Sequence, residues 1–275
     1  MRVAFRIAIA ILLVVPSVAR DAAPVPEFGQ PSKDSVWVTT PERMIRRMLQ
    51  LADTTRDDVV LDLGAGDGRI PIYAAKHFGA RGIAVELEEN LVQLAREAAR
   101  REGVADRVLV IRQDLFEADL STATVLALFI SPGAMQRLKP RFLQLRPGTR
   151  IASHQFDLGD WEPDEKVEVE GRKGYLWVVP APVEGTWRVE IPGEDFRLRL
   201  ERRYQRLSAS GEREGKALHV LGARLRGTEI GFTAFDREGI SRHFVGRLEG
   251  GRLVGESHLG IGAKPLAWTA TRHRD

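Results

Sequence analysis

The chain carries two hydrophobic rhythms in succession. Up to about residue 180, unbroken apolar runs alternate with segments of helical periodicity, and beyond it apolar and polar residues take turns one by one. Val59 to Leu63, after Arg56-Asp57-Asp58, predicts a strand covered on both faces of a parallel sheet. Arg69 to Phe78 predicts a helix, with Pro71 in its first turn, Lys76 and His77 in its last, and Gly79 as its stop. Gly82 to Leu87 reads as a second strand. A helix from about Glu88 to Glu102 follows, with Leu91, Leu94, Ala95 and Ala98 on one face. Val108 to Arg112, Thr124 to Ile130 and Thr149 to His154 supply three more strands. Ahead of them all, Met44, Ile45, Met48, Leu49 and Ala52 mark an amphipathic helix, with Thr40 as its expected N-cap and Pro41 in its first turn. The pattern is α/β with an open parallel sheet, whose ligands bind beyond the carboxyl ends of the strands.

The second rhythm begins past Pro180-Ala181-Pro182. TWRVEI, FRLRLERRY, ALHVLGARL, TEIGFTAF, SRHFVGRL, GRLVGESHL and PLAWTATR alternate between glycine-rich turns, predicting a small antiparallel sheet or partly open barrel. Trp187 and Trp268 are expected in its core. Arg197, Arg199, Arg202 and Arg203 are expected on a solvated face. From Gly185 onward there are seventeen basic and twelve acidic residues, so the basic surplus of the chain, net +3, sits in this part and the first part is net acidic. An acidic or membrane-associated partner is one reading of that surplus, and an accessory that makes a dimer is another.

The N-terminus has its own pattern. Arg2 and Arg6 precede an apolar run from Ile7 to Val15, a Pro16 break and Ser17-Val18-Ala19, as in a secretory signal peptide. The expected division is therefore a signal peptide over 1–19, a linker over 20–36, an α/β domain over 37–182 and an antiparallel β domain over 183–275. Location outside the cytoplasm, exported or periplasmic, follows from the signal reading, with a membrane anchor if it is uncleaved and the cytoplasm if the reading fails. Cysteine is absent, which excludes disulfides, thiolate nucleophiles and cysteine-ligated zinc.

The glycine loop decides the ligand. A dinucleotide loop wants a third small residue two places after the second glycine's neighbour, where this chain, Gly64-Ala65-Gly66-Asp67-Gly68-Arg69, puts a bulky cation. Asp67 would repel phosphates. A phosphate-free ligand with a positive centre fits better, and S-adenosylmethionine, a sulfonium with an adenosine and an amino acid tail, is one. Gly64, Ala65 and Gly66 let backbone approach the tail, and Asp62 at the strand end can take its ammonium. Glu86, ending the second strand, can accept ribose hydroxyls, while Asp114 and its neighbour Leu115, just past the third, suit the adenine. Singly, an acid after a strand is most often a cap or a solvated loop residue; three at successive strand ends form a constellation.

DLGAGDGR, Glu86, QDLFEADLSTATV, LRPGTRIASHQFDLGDWEPD and TTPERMIRRMLQLA together resemble the seven-strand class I methyltransferases. More narrowly, they are similar to the lysine methyltransferase family that includes mitochondrial enzymes acting on the ATP synthase c subunit and the adenine nucleotide translocase. The resemblance spans roughly residues 36 to 180. It implies a Rossmann-like seven-strand sheet ending in an antiparallel hairpin, which Glu168-Val169 and Tyr175 to Val179 suggest independently. It also implies S-adenosylmethionine at Asp62, Gly64, Gly66, Glu86 and Asp114. The chain departs from the family at Trp37 and Thr39, where a Tyr and a Pro are usual, and at Ser131-Pro132, where a Leu-Pro pair is usual.

Methyl transfer needs an aligned neutral nucleophile and exclusion of water rather than a metal. Candidates on the strand-end rim are Ser131, His154, Asp157, Asp160 and Trp161, with Asp157 and Trp161 expected to line an acceptor channel. Ser131 can equally turn the chain, and His154 can equally be a bonded core residue. A protein lysine is the expected acceptor. Nucleic acid is disfavoured by the acidic first part and by the lack of an NPPY-like motif after the fourth strand. The contrasting expectation is an exported binding protein without catalysis, in which the β domain carries recognition.

Overall fold

The computed structural model describes residues 38–235, 239–260 and 264–273, together with Glu27 and Gly29. The expected signal peptide (1–19), nearly all of the linker (20–36) and Trp37 lie outside them.

The first rhythm folds as a seven-stranded sheet. Its strands are β1 (Val59–Leu63), β2 (Arg81–Glu86), β3 (Val108–Arg112), β4 (Val125–Leu128), β5 (Arg150–His154), β6 (Glu165–Val169) and β7 (Arg172–Val178), in the order β3-β2-β1-β4-β5-β7-β6. The pairs from β3 to β5 are parallel, whereas β7 runs antiparallel to both β5 and β6. Every residue of β1 and β4 is buried, as their apolar runs require of strands covered on both faces. The β6–β7 hairpin is longer than its sequence suggested. Its turn is the pair Glu170-Gly171, both left-handed at φ 52° and 75°, a combination suited to the twist of a two-residue hairpin.

Helices α1 (Glu42–Leu51), α2 (Arg69–Phe78) and α3 (Glu89–Arg101) cover one face, and α4 (Pro132–Phe142) covers the other. On the first face Met44, Ile45, Met48 and Leu49 of α1 pack with Val60, Ala127, Ala152 and Leu176 from the sheet. On the second, Met135, Leu138 and Phe142 of α4 pack with Leu61, Leu126, Ile151 and Trp177. α4 escaped the sequence reading because Gly133 and Pro140 interrupt its pattern; Pro140 sits near the C-terminal end, where the helix tolerates it. The N-cap of α1 is Pro41, without a side-chain cap. Thr40 is buried and turned elsewhere, which corrects the cap expected of it.

The second rhythm closes into a barrel. Strands β8 (Gly185–Ile191), β9 (Glu194–Arg203), β10 (Arg206–Arg213), β11 (Lys216–Arg226), β12 (Glu229–Phe235), β13 (Ser241–Glu249), β14 (Arg252–Leu259) and β15 (Leu266–Arg272) each pair with their sequence neighbours, and β15 returns to pair with β8. Eight strands leave an interior that side chains can fill. Trp187, Phe196, Phe232, Phe244 and Trp268 do so here. Gly246 faces Gly255 across β13 and β14, and a Cβ on Gly246 would lie 2.7 Å from the Trp268 ring, so glycine makes room for the indole. A closed barrel thus replaces the small or partly open sheet that alternation alone suggested.

Barrel and sheet meet through the β9–β10 turn. Tyr204, left-handed at φ 54°, stacks on Trp161 at 5.7 Å between centroids and 15° between planes. Trp161 Nε1 donates to Gln205 Oε1 at 2.9 Å, and Trp177 Nε1 donates to the Trp161 carbonyl at 2.7 Å. Nearby, the Ala181 amide donates to the Gly227 carbonyl, tying the β11–β12 turn to the same side.

Candidate active site

The loop after β1 is held to β2 by backbone. The amides of Gly64 and Ala65 both donate to the Val85 carbonyl, at 2.8 and 3.0 Å. Gly64, Gly66 and Gly68 are all left-handed, at φ 69°, 56° and 73°, so this turn is open only to residues without a Cβ penalty. Arg69, the cation that spoiled the dinucleotide pattern, folds back on Asp67, with Nη2 2.6 Å from Oδ2 and Nε 2.9 Å from Oδ1. It also donates to the Thr40 carbonyl at 3.3 Å.

Two further acids face this loop. Glu86 Oε2 accepts the Gly66 amide at 2.8 Å, and Oε1 accepts those of Leu87 at 2.7 Å and Glu88 at 3.0 Å. Asp62 is buried, and no hydrogen bond or cation from the described residues reaches it. Burial, followed by the negative charges of Glu86 and Asp67, pushes its carboxyl well above the usual carboxylate range. A buried carboxyl raised by two other acids is unfavourable on its own and favourable beside a cation. The site fits a ligand that brings positive charge, as the ammonium and sulfonium of S-adenosylmethionine do.

Asp114 and Leu115 lie on the same rim. Asp114 Oδ1 accepts the Phe116 amide at 2.9 Å, forming the turn that follows β3. A Cβ on Gly64 would lie 3.8 Å from Leu115 Cδ2 and 3.5 Å from Ile130 Cγ2, which places the ends of β1, β3 and β4 around one space. Asp62, Gly64, Ala65, Gly66, Glu86, Asp114 and Leu115 are therefore brought together.

The acceptor candidates separate. His154, the last residue of β5, is fully buried, with Nδ1 3.2 Å from Thr40 Oγ1 and its ring 4.1 Å from that of Phe129. Its Nε2 has no hydrogen-bond partner among the described residues. Burial, assisted by the charge of Arg172, lowers its pKa to about 4, so the imidazole is neutral. Gln155, next in the chain, is a left-handed non-glycine at φ 70°, held by its amide on the Lys173 carbonyl at 2.7 Å. Phe156 lies 6.0 Å from Phe129, stacked at 17°. Phe129, Phe156 and Thr40 are the residues the sequence reading missed. Thr40 looked like a cap, and Phe129 and Phe156 lie inside a strand and a motif without a feature that marks them singly.

Ser131 caps α4, its Oγ accepting the Ala134 amide at 3.3 Å, which is the chain-turning alternative weighed for it. Asp157 is exposed, with Oδ1 accepting the Gly159 amide at 3.0 Å. It lines a groove of about 580 Å³ with Glu162, Lys166, Glu168, Lys173 and Tyr175. Trp161 does not line a channel: it is fully enclosed, bonded to Gln205 and stacked on Tyr204, because the barrel supplies the partners its apolar ring needs. Asp160 is taken up likewise, accepting Lys139 Nζ at 2.6 Å and the Tyr204 hydroxyl at 2.9 Å. The Lys139 bond above all holds its carboxyl far below the usual range.

Comparisons with known proteins agree with this geometry. The ANTKMT methyltransferase domain pattern matches residues 62–165. The chain is similar to a protein-lysine N-methyltransferase of Saccharolobus islandicus (strain REY15A), 39% identical over 149 residues, which are 52% of this chain and 92% of that protein. It is similar to the adenine nucleotide translocase lysine N-methyltransferase of Mus musculus, 34% identical over 129 residues, 46% of this chain and 56% of the relative, so it spans only about half of that enzyme. Among solved structures it resembles an RNA methyltransferase from Salinibacter ruber in complex with S-adenosyl-L-homocysteine, at 48% identity and a TM-score of 0.52, covering 53% of this chain and 96% of that one.

Proposed function

Since the chain belongs to the ANTKMT methyltransferase family and is an S-adenosylmethionine-dependent methyltransferase, we propose that it N-methylates lysine side chains of a protein. In this reading Asp62 holds the cofactor's ammonium, Glu86 its ribose hydroxyls, and Asp114 with Leu115 its adenine. Bound there, S-adenosylmethionine supplies a methyl group activated by its sulfonium.

The observation that carries the lysine reading is the uncharged, aromatic end of the cleft. Phe129, Phe156 and the neutral ring of His154 gather at the ends of β4 and β5. A lysine reacts as the free amine, and this wall disfavours its ammonium on desolvation while ring faces accommodate the cation that forms at the nitrogen. His154, enclosed behind the phenylalanines with Nδ1 on the Thr40 hydroxyl, keeps this end uncharged. Asp157, on the groove outside, is assigned to docking the acceptor chain. Two curated relatives carry lysine in their names, which supports the same choice.

RNA is the second reading, favoured by the name of the Salinibacter ruber protein. Against it, the first part of the chain is net acidic, whereas binding to a phosphate backbone draws on a basic face. The test is incubation with methyl-labelled S-adenosylmethionine and extract fractions. Protease-sensitive label that appears as methyllysine by mass spectrometry supports the proposal; label sensitive to ribonuclease alone replaces it with RNA. Location outside the cytoplasm remains part of the proposal, resting on Arg2, Arg6 and the Ile7 to Val15 run. N-terminal sequencing of the processed protein tests it, since a start at Met1 removes it.

A further inference from the structure

The barrel has two ends, and only one of them meets the sheet. The turns at Tyr204-Gln205 and at Gly227 face the methyltransferase half. Strands in an antiparallel meander turn at alternate ends, so the β8–β9 and β10–β11 turns lie at the opposite end. There the interior changes character. Side chains two apart on a strand share a face, so Glu194 projects inward with Phe196, Arg213 with Gly211, and Arg242 with Phe244. Three charged groups thus ring the outer mouth of the barrel above its aromatic interior, Arg242 nearly enclosed and Glu194 and Arg213 partly exposed.

They line a cavity of about 140 Å³. Its floor is Phe196 and Phe244, edge to face at 5.7 Å, and its rim is Phe235, Ile240 and Leu259; the last two are half exposed. Between floor and rim lies a belt in which one carboxylate serves two guanidinium groups. Arg213 Nη2 is 2.8 Å and Arg242 Nη2 3.5 Å from the two oxygens of Glu194. The Arg242 side chain is only 14% exposed, and Arg213 Nε is buried without a hydrogen-bond partner. Among the described residues the belt therefore carries one uncompensated positive charge and N–H donors to spare, in surroundings that strengthen both.

We propose that this outer mouth is a binding site for a small apolar carboxylate, an aryl or short alkyl acid, whose carboxylate joins Glu194 between Arg213 and Arg242 while its apolar body covers the phenylalanine floor. Guanidinium forks match a carboxylate in shape as well as charge. The cavity has room for about five waters at ~30 Å³ each, which suits the body of benzoate or hexanoate. The site is separate from the cleft at the end of β1 and stands whatever the methyl acceptor is.

The experiment is calorimetric titration of the full chain with benzoate and hexanoate, with benzamide, hexanol and inorganic phosphate as controls. Saturable binding of the acids alone is expected, weakened roughly tenfold to a hundredfold by Arg242→Met. Glu194→Gln should tighten it. An unchanged far-ultraviolet circular dichroism spectrum and unchanged thermal melt of each variant report that the barrel is folded; should Arg242→Met fail that check, Arg213→Gln carries the same test. No binding of either acid, binding of the amide as tight as that of the acid, or phosphate binding as tight as benzoate would each overturn the proposal.

Discussion

Glu86 at the end of β2 accepts the backbone amide of Gly66 at 2.8 Å, so the carboxylate assigned to the cofactor's ribose also fixes the glycine loop. Its second oxygen accepts the amides of Leu87 and Glu88. Glu86→Ala leaves these donors unpaired in a buried place, and a lost charge-assisted bond costs about 1.5–3 kcal/mol. The variant is expected to bind S-adenosylhomocysteine roughly a hundredfold more weakly and to melt at lower temperature. Glu86→Gln keeps an acceptor for Gly66 and should lose affinity with little loss of stability. Calorimetry beside thermal melts separates the two effects; equal melting of Ala and Gln variants would show that the loop does not depend on this bond.

Asp62 gives the opposite balance. Its folded pKa is raised, first by burial and then by Glu86 and Asp67. A group raised in this way adds stability that is complete below the unfolded value of 3.8 and is lost as pH rises through the folded value. At neutral pH Asp62 therefore destabilises the ligand-free protein. Asp62→Asn should melt higher than the natural chain without ligand, by a margin that opens as pH climbs from about 4 toward neutrality. It should also lose the stabilisation that S-adenosylmethionine gives. Melting curves across pH, with and without ligand, decide it, and a margin that stays constant with pH would remove the argument.

His154 titrates the other way. Its pKa falls from 6.5 to about 4 in the folded chain. Between these values the unfolded state binds the proton and the folded state does not, so stability rises with pH across that window and is lost on acidification below 6.5. At ~1.36 kcal/mol per unit the full difference is about 3 kcal/mol. Urea unfolding at pH 7.5 and pH 4.5 should show a steeper loss in the natural chain than in His154→Gln, and matching losses would contradict the shift.

Much of this site was legible because it is local. The ends of β1, β2 and β3 each carry their acid within a residue or two of an unbroken apolar run, and the glycine loop follows β1 directly. What was not legible depends on pairs far apart in sequence. Thr40 meets His154 across 114 positions, and nothing beside Thr40 distinguishes it from an ordinary cap. Barrel closure rests on β15 pairing with β8, and the alternation of either strand would be the same on an open sheet. Trp161 looked like a channel residue because its partners, Tyr204 and Gln205, belong to the barrel.

Asp157→Asn tests the acceptor groove. The asparagine keeps the oxygen that accepts the Gly159 amide, so the loop should hold its shape while the charge beside Lys166 and Lys173 is lost. Turnover or acceptor KM is expected to worsen roughly tenfold with cofactor affinity nearly unchanged. Equal losses of both would place Asp157 outside acceptor docking.

The barrel is tied to the methyltransferase half through Trp161. Its ring stacks on Tyr204, its Nε1 is bonded to Gln205, and its carbonyl accepts the Trp177 indole N–H from β7. Trp161→Ala opens a cavity and leaves Gln205 Oε1 without its donor, a change worth about 3–5 kcal/mol for a buried tryptophan. Because its chain neighbours run from His154 to Asp160, the loss should loosen the acceptor loop as well as the domain contact. Tyr204→Ala removes from the barrel side both the stack on Trp161 and the hydroxyl's bond to Asp160. If the barrel positions the acceptor loop, calorimetry should show the two halves melting apart in Tyr204→Ala, and acceptor KM should rise while S-adenosylhomocysteine affinity holds. A Tyr204→Ala protein that melts in one transition with unchanged acceptor KM would leave the barrel as an independent unit.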